Sequence, residues 1–123
     1  MAGLPPAARL RRASDFAALQ HAERCQGRHF LLRWLAVPEG NARLGLAVSR
    51  KVSKRAVERN RIKRVVRESF RAEREALPAL DILVIARASA AGTPNPALFA
   101  DLGLVWRKLK TLKQTAAPGT IGG

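Results

Sequence analysis

Acidic residues are scarce in this sequence. Nine Asp and Glu stand against 23 Lys and Arg, for a formal net charge of +14. An excess of that size repels itself in a folded chain unless a polyanion neutralises it, so nucleic acid is the leading class of partner and an anionic membrane surface the second. Cysteine is scarcer still: Cys25 stands alone, which excludes an internal disulfide framework. No apolar run approaches a membrane span, since "ALDILVIARASA" is interrupted by Asp81 and Arg87. The opening "MAGLPPAARLRRASDF" has no apolar stretch long enough for a secretory signal. These absences together read as a soluble, cytoplasmic protein.

The usual marks of catalysis are missing too. Metal-assisted phosphodiester cleavage needs several carboxylates converging on one or two ions. Here Asp15, Glu23, Glu39, Glu58, Glu68, Glu73, Glu75, Asp81 and Asp101 are scattered, with no D-x-D pair on a strand. There is no G-x-x-x-x-G-K-[ST] loop and no nucleophile elbow. "HAERCQGRH" sets His21, Cys25 and His29 four apart, a spacing that could offer three zinc ligands. Gly27 is expected to break that helix, however, and no fourth ligand is evident. The competing reading is a helix end with a buried thiol. The chain looks like a binder without catalytic residues of its own.

What is present is enough for one core. At 123 residues and 47 % hydrophobic, the chain suits a single domain. Residues 1–8, with Pro5 and Pro6, read as a loose leader, 9–113 as the domain, and 114–123 as a flexible tail. The first helix is expected after Ser14, with Asp15 in its first turn and Phe16, Leu19 and Ala22 on one face, ending before Gly27. "HFLLRWLAV" reads as a strand closed by the turn "PEGN". "RLGLAVS" is a second strand, with Leu44, Leu46 and Val48 on one face. Only Gly45, Ala47 and Ser49 are on the other, so another element can approach closely there. A second helix runs from about Ala56 to Ala76 before Pro78. "DILVIAR" is apolar on both faces, as in a buried strand. A third helix covers Pro96–Thr111. The fold class is α/β, an α+β sandwich of three helices on a small mixed sheet of about four strands. Its order is α-β-β-(β)-α-β-α, the bracketed strand being short.

The second helix carries the charge. At 100° per residue with Ile62 at zero, Val65, Val66, Ser69, Phe70, Glu73 and Leu77 fall within roughly 80° on either side, the stripe to be buried. Asn60, Lys63, Arg64, Arg67, Arg71 and Arg74 fall between about 100° and 200°, and that band contains no carboxylate. A solvated face would mix signs. Residues 50–74 instead hold eleven Lys or Arg against Glu58, Glu68 and Glu73, whereas 76–106 hold only Arg87. The concentration favours a phosphate-binding face. Arg donates a planar fork to phosphate and Lys a point charge, and a row of them tracks phosphates rather than bases. Zinc-finger spacing, zipper heptads and an aromatic strand motif for single-stranded RNA are absent. Membrane insertion would take the apolar stripe out of a small core.

At "RAVERNRIKRVVRESFR", residues 55–71, the sequence resembles the protein component of bacterial ribonuclease P. The family's Arg-Asn-Arg core followed by Ile-Lys-Arg is matched by Arg59, Asn60, Arg61, Ile62, Lys63 and Arg64. "RLRRASDF" at 9–16, "RLGLAVSRKV" at 43–52 and "DILVIAR" at 81–87 resemble its flanking segments, so the likeness spans roughly residues 9 to 110. The resemblance implies a left-handed strand–helix–strand crossover, against the usual rule. It also implies a catalytic RNA subunit that binds Mg2+ and removes the 5′ leader from precursor tRNA, with no cofactor held by the protein and no obligate protein partner.

Carried over, Arg59, Asn60, Arg61, Lys63, Arg64 and Arg67 contact the catalytic RNA, and Arg50, Lys51 and Lys54 extend the patch. The leader of precursor tRNA is expected in a cleft between the first helix and the sheet, at Phe16, Arg33 and Arg12. Phe30 and Trp34, on the other strand face, read as core. The chain has no Tyr, so stacking there has few platforms. A structural RNA binder of ribosomal or chaperone type is the alternative, distinguished by indifference to precursor over mature tRNA. A protein-only nuclease would need the carboxylate cluster that is missing.

Overall fold

In a computed structural model, residues 6–10, 13–19, 22–38 and 40–122 are described, with 112–122 as backbone alone. The elements are α1 (Ala13–Leu19), β1 (Glu23–Gln26), β2 (Phe30–Ala36), β3 (Arg43–Ala47), α2 (Ala56–Glu73), β4 (Leu80–Ala86) and α3 (Asn95–Gly122). Short 3-10 turns occupy Pro6–Ala8 and Ala88–Ala90. The sheet order is β1-β2-β4-β3, with β3 and β4 parallel and the other pairs antiparallel. Helix α2 is therefore the crossover between two adjacent parallel strands.

The alternation of β2 and β4 sorts the core. Phe30, Leu32, Leu80, Ile82 and Val84 are all essentially solvent-free on one face, packed with Ile62, Val66 and Phe70 of α2 and Leu98, Leu102, Val105, Trp106 and Leu109 of α3. Trp34 is half-buried against the same cluster. Leu83 of the opposite face forms a second, smaller cluster with Leu10 and Leu19, joined by Phe16, Ala22, Ala47 and Ile85. Strand β4, buried between β2 and β3 and covered on both faces, is apolar throughout apart from Asp81.

Three expectations change. The extra strand is β1, in the segment read as the end of the first helix. α1 stops at Leu19, and Glu23–Gln26 pair with Leu31–Trp34 as a hairpin. The leader does not extend to residue 8: Ala8 is fully buried, and the Leu10 amide donates to the Leu44 carbonyl at 2.9 Å, which anchors this segment on β3. Finally, the backbone of α3 continues past Thr111 to Gly122, through the segment expected as a flexible tail.

Candidate nucleic-acid interface

Helix α2 divides as its periodicity predicts. Ile62, Val65, Val66 and Phe70 are buried, while Asn60, Arg64, Arg67 and Arg71 are exposed and Lys63 is half-buried. Arg64 and Arg67 make no hydrogen bond or ion pair among the described residues, so their donors are available to a ligand. Arg74 departs from the band. It follows the last helical residue and turns back, its Nε donating to the Ala42 carbonyl at 2.9 Å. That bond ties the end of α2 to the start of β3 and removes one charge from the outer row.

The loop before α2 brings Arg50, Lys51 and Lys54 together around an open depression of about 450 Å³. Its shape is held from within. Ser49 Oγ accepts from the Lys51 amide at 3.2 Å, and Ser53 Oγ from the Arg55 amide at 3.2 Å. Arg59 Nη1 donates to the carbonyls of Ser53 and Lys54, both at 3.0 Å. A cation that satisfies two loop carbonyls stiffens the loop that presents three others.

Arg61 is similarly committed. It donates through Nε and Nη2 to Glu58 at 3.2 and 2.7 Å, and through Nη1 to Asn95 Oδ1 at 2.6 Å. Glu58 Oε2 also accepts from the Gly92 amide at 2.8 Å. The Arg61 fork, then the Gly92 N–H, lower the Glu58 carboxyl to about 2. This network fastens the first turn of α2 to the loop that starts α3. It also neutralises the carboxylate closest in sequence to the Arg-Asn-Arg core. A signal for both arginines exists on the helical wheel: Arg59 falls at about 60° and Arg61 at about 260°, outside the outward band.

On the sheet's other face, α1 packs over β4 and β2, and its Phe16 reaches Gly45 of β3. Gly45 permits this, because a Cβ there would sit 2.7 Å from Phe16 Cε1 and 3.3 Å from Leu10 Cδ1. Phe16 is half-buried, with part of its ring against the sheet. Arg33 is half-buried too and reaches across, Nη1 donating to the Ala22 carbonyl at 3.1 Å. Arg12 lies outside the described residues. Sequence reasoning missed Arg43, which grips Asp81 through Nε and Nη2, each at 2.8 Å, with Asp15 of α1 at 3.7 Å. The bond to Asp81 raises the Arg43 pKa. A lone Asp opening an apolar strand was the available signal. Gly45→Ala should push the Phe16 ring out and lower the melting temperature by a few degrees, a loss of roughly 1 kcal/mol. Adding Phe16→Ala to that variant should cost less than Phe16→Ala costs alone.

Two further acids hold the fold together. Asp101, 7 % exposed, accepts from the Arg28 and His29 amides at 2.7 and 2.9 Å, and Glu73 pairs with Lys110 at 2.5 Å. Among the described residues, no group of three His, Cys, Asp or Glu could hold a metal ion. Cys25 lies in β1, not on a helix, and burial raises its thiol pKa. His29 Nδ1 lies 2.9 Å from Ser89 Oγ, and His21 is outside the described residues. No helix among the described residues is long and apolar enough to cross a membrane.

Comparison with known proteins converges on one family. A family model described as Ribonuclease P matches residues 4–110. The ribonuclease P protein component of Pseudomonas paraeruginosa is 40 % identical over 124 residues, covering 94 % of this chain and 90 % of the relative. That of Idiomarina loihiensis is 48 % identical over 77 residues, 61 % of this chain and 62 % of the relative. Among solved structures, a Staphylococcus aureus RNase P protein mutant superposes with a TM-score of 0.78 at 32 % identity, covering 85 % of this chain and 89 % of that one. The Thermotoga maritima RNase P protein gives 0.70 at 30 % identity, with 80 % and 96 % covered.

Proposed function

The chain belongs to the ribonuclease P protein component family, and from that premise we propose that it serves the assembly as a phosphate-binding subunit that performs no bond cleavage itself. The outward row of α2, Asn60, Lys63, Arg64 and Arg67, lies with Arg50, Lys51 and Lys54 along the backbone of a catalytic RNA. Arg59 and Arg61 hold that surface in shape. The cleft between α1 and the sheet, with Phe16 and Arg33, takes the 5′ leader of precursor tRNA, where stacking tolerates any base. The enzyme works in the cytoplasm, where precursor tRNA is processed.

The observation that carries this reading is the division of charge. Arg64 and Arg67 are exposed and free of intrachain partners among the described residues, while Glu58, Glu73, Asp81 and Asp101 are all committed to internal bonds. Carboxylates so committed do not fit a catalytic Mg2+ site in the protein. The metal belongs with the RNA, where it supplies the activated water and stabilises the leaving oxygen. Reconstitution tests the reading. Protein alone should cleave nothing, and adding it to the RNA subunit should improve precursor-tRNA processing at low Mg2+. No improvement over RNA alone would end it, and equal affinity for precursor and mature tRNA in the assembled particle would favour a structural binder.

A further inference from the structure

The side of α3 turned away from α2 takes no part in the interface above. Helix α3 meets α2 through Trp106, whose Nε1 donates to Ser69 Oγ at 2.7 Å, and through Lys110 on Glu73. Its other side carries Leu104, Arg107, Lys108 and Thr111, which with Cys25 of β1 line an open cavity of about 410 Å³. That volume is within the range of small-ligand sites, roughly 300–1,000 Å³. The floor is apolar and the rim is cationic. Leu104, 52 % exposed, presents its apolar side chain to this cavity beside Cys25. Burial favours the neutral thiol of Cys25, so the floor carries no charge.

Other cations lie around the nearby β1–β2 turn. Lys108 Nζ donates to the Gln26 carbonyl at 3.0 Å, and Arg87 reaches the Gln26 side chain. Arg28 is exposed in the turn itself. The Arg107 guanidinium is exposed and makes no hydrogen bond or ion pair among the described residues. Asp101 beside them is buried with both oxygens on backbone amides, and Glu23 lies at the far end of β1. Two cations, Arg107 and Lys108, thus line an apolar seat with little opposing charge. That combination suits a nucleotide: an apolar side chain against the base, and a guanidinium and an ammonium on the phosphates. An acidic peptide would match the charge, but β1 offers only four residues of strand edge to hold its backbone.

We propose that the corner between α3 and β1 is a second RNA seat, taking one unpaired nucleotide with its base on Leu104 and Cys25 and its phosphates on Arg107 and Lys108. A strand held there is separated by α3 from RNA lying on α2, so one chain clamps two RNA segments. The inference needs only that the chain binds RNA, whether or not it assists cleavage.

The test uses the full chain and a single-stranded oligoribonucleotide carrying 4-thiouridine. Photocrosslinks should map to peptides bearing Cys25 or Leu104. Leu104→Ala should weaken binding roughly three- to tenfold at every salt concentration without changing the salt slope, because it removes stacking area and no charge. Arg107→Gln should reduce that slope by about one. Leu104→Phe should bind more tightly than wild type, which guards against a loss caused by misfolding. Crosslinks confined to α2 and the α1 cleft, or wild-type affinity in both Leu104 variants, would overturn the seat. An effect at Arg107 alone would reduce it to general electrostatic attraction and also overturn it.

Discussion

Replacing Arg64 and Arg67 together by alanine is expected to weaken RNA binding roughly a hundredfold, at about 1.5 kcal/mol for each charge-assisted bond lost. The salt slope of the affinity should fall by about two, one for each phosphate released. Both side chains are exposed and unpartnered among the described residues, so the melting temperature should hold. A binding series across salt concentrations reads both numbers, and an unchanged slope would show that neither side chain touches phosphate. Arg61→Ala is the contrast within that experiment. Its guanidinium is engaged by Glu58 and Asn95, so its loss should loosen the joint between α2 and the 92–95 loop. The melting temperature should drop while the slope stays nearly constant. Two arginines three residues apart on one helix thereby separate contact from support.

That separation was only partly legible in the sequence. The apolar stripe of α2 and the exposed row of Asn60, Arg64 and Arg67 follow from helical period alone, and the structure reproduces them. The burial of β4 was legible for the same reason, since a strand covered on both faces cannot alternate. Within the motif "RNR", by contrast, the wheel sets Arg59 and Arg61 apart from Asn60 but does not say what holds them. The roles of its arginines depend on where Ser53, Gly92 and Asn95 sit in space, which only the tertiary fold decides.

Strand β1 was missed for a related reason. "ERCQ" offers one buried side chain, Cys25, and its strand character comes from pairing with β2 rather than from its own pattern. The grip of Arg43 on Asp81 likewise requires the parallel register of β3 and β4, in which the two residues are direct partners. Arg74 falls on the outward band of the wheel and keeps helical dihedrals, yet its long side chain folds back to the Ala42 carbonyl, a contact set by where β3 begins. Local period was readable wherever one element decided the outcome, and failed wherever two elements had to meet.

Trp106→Ala should produce the largest loss of stability, about 3–5 kcal/mol. The indole is 1 % exposed, its ring centroid lies 5.8 Å from that of Phe70 at an interplanar angle of 59°, and its N–H is held by Ser69. Removing it leaves a cavity between α2 and α3 and deprives Ser69 of its donor. Against the ~5–15 kcal/mol that folds a typical domain, such a loss lowers the melting temperature on the order of 10–20 °C. Trp106→Phe keeps one ring against Phe70 but loses the N–H and part of the indole's volume, so its cost should be smaller than that of alanine, about 2 kcal/mol. The functional consequence is specific. Phe70 and Ser69 are on the inner side of the helix whose outer side carries Arg64 and Arg67, so this contact sets how that row is aimed. Below its melting temperature the Trp106→Ala protein should bind RNA more weakly than wild type. Its salt slope should be unaltered, because every phosphate-binding charge remains. A reduced slope in the folded variant would instead mean that the row had lost contacts outright, and that α2 depends on Trp106 for its helical structure as well as its seating.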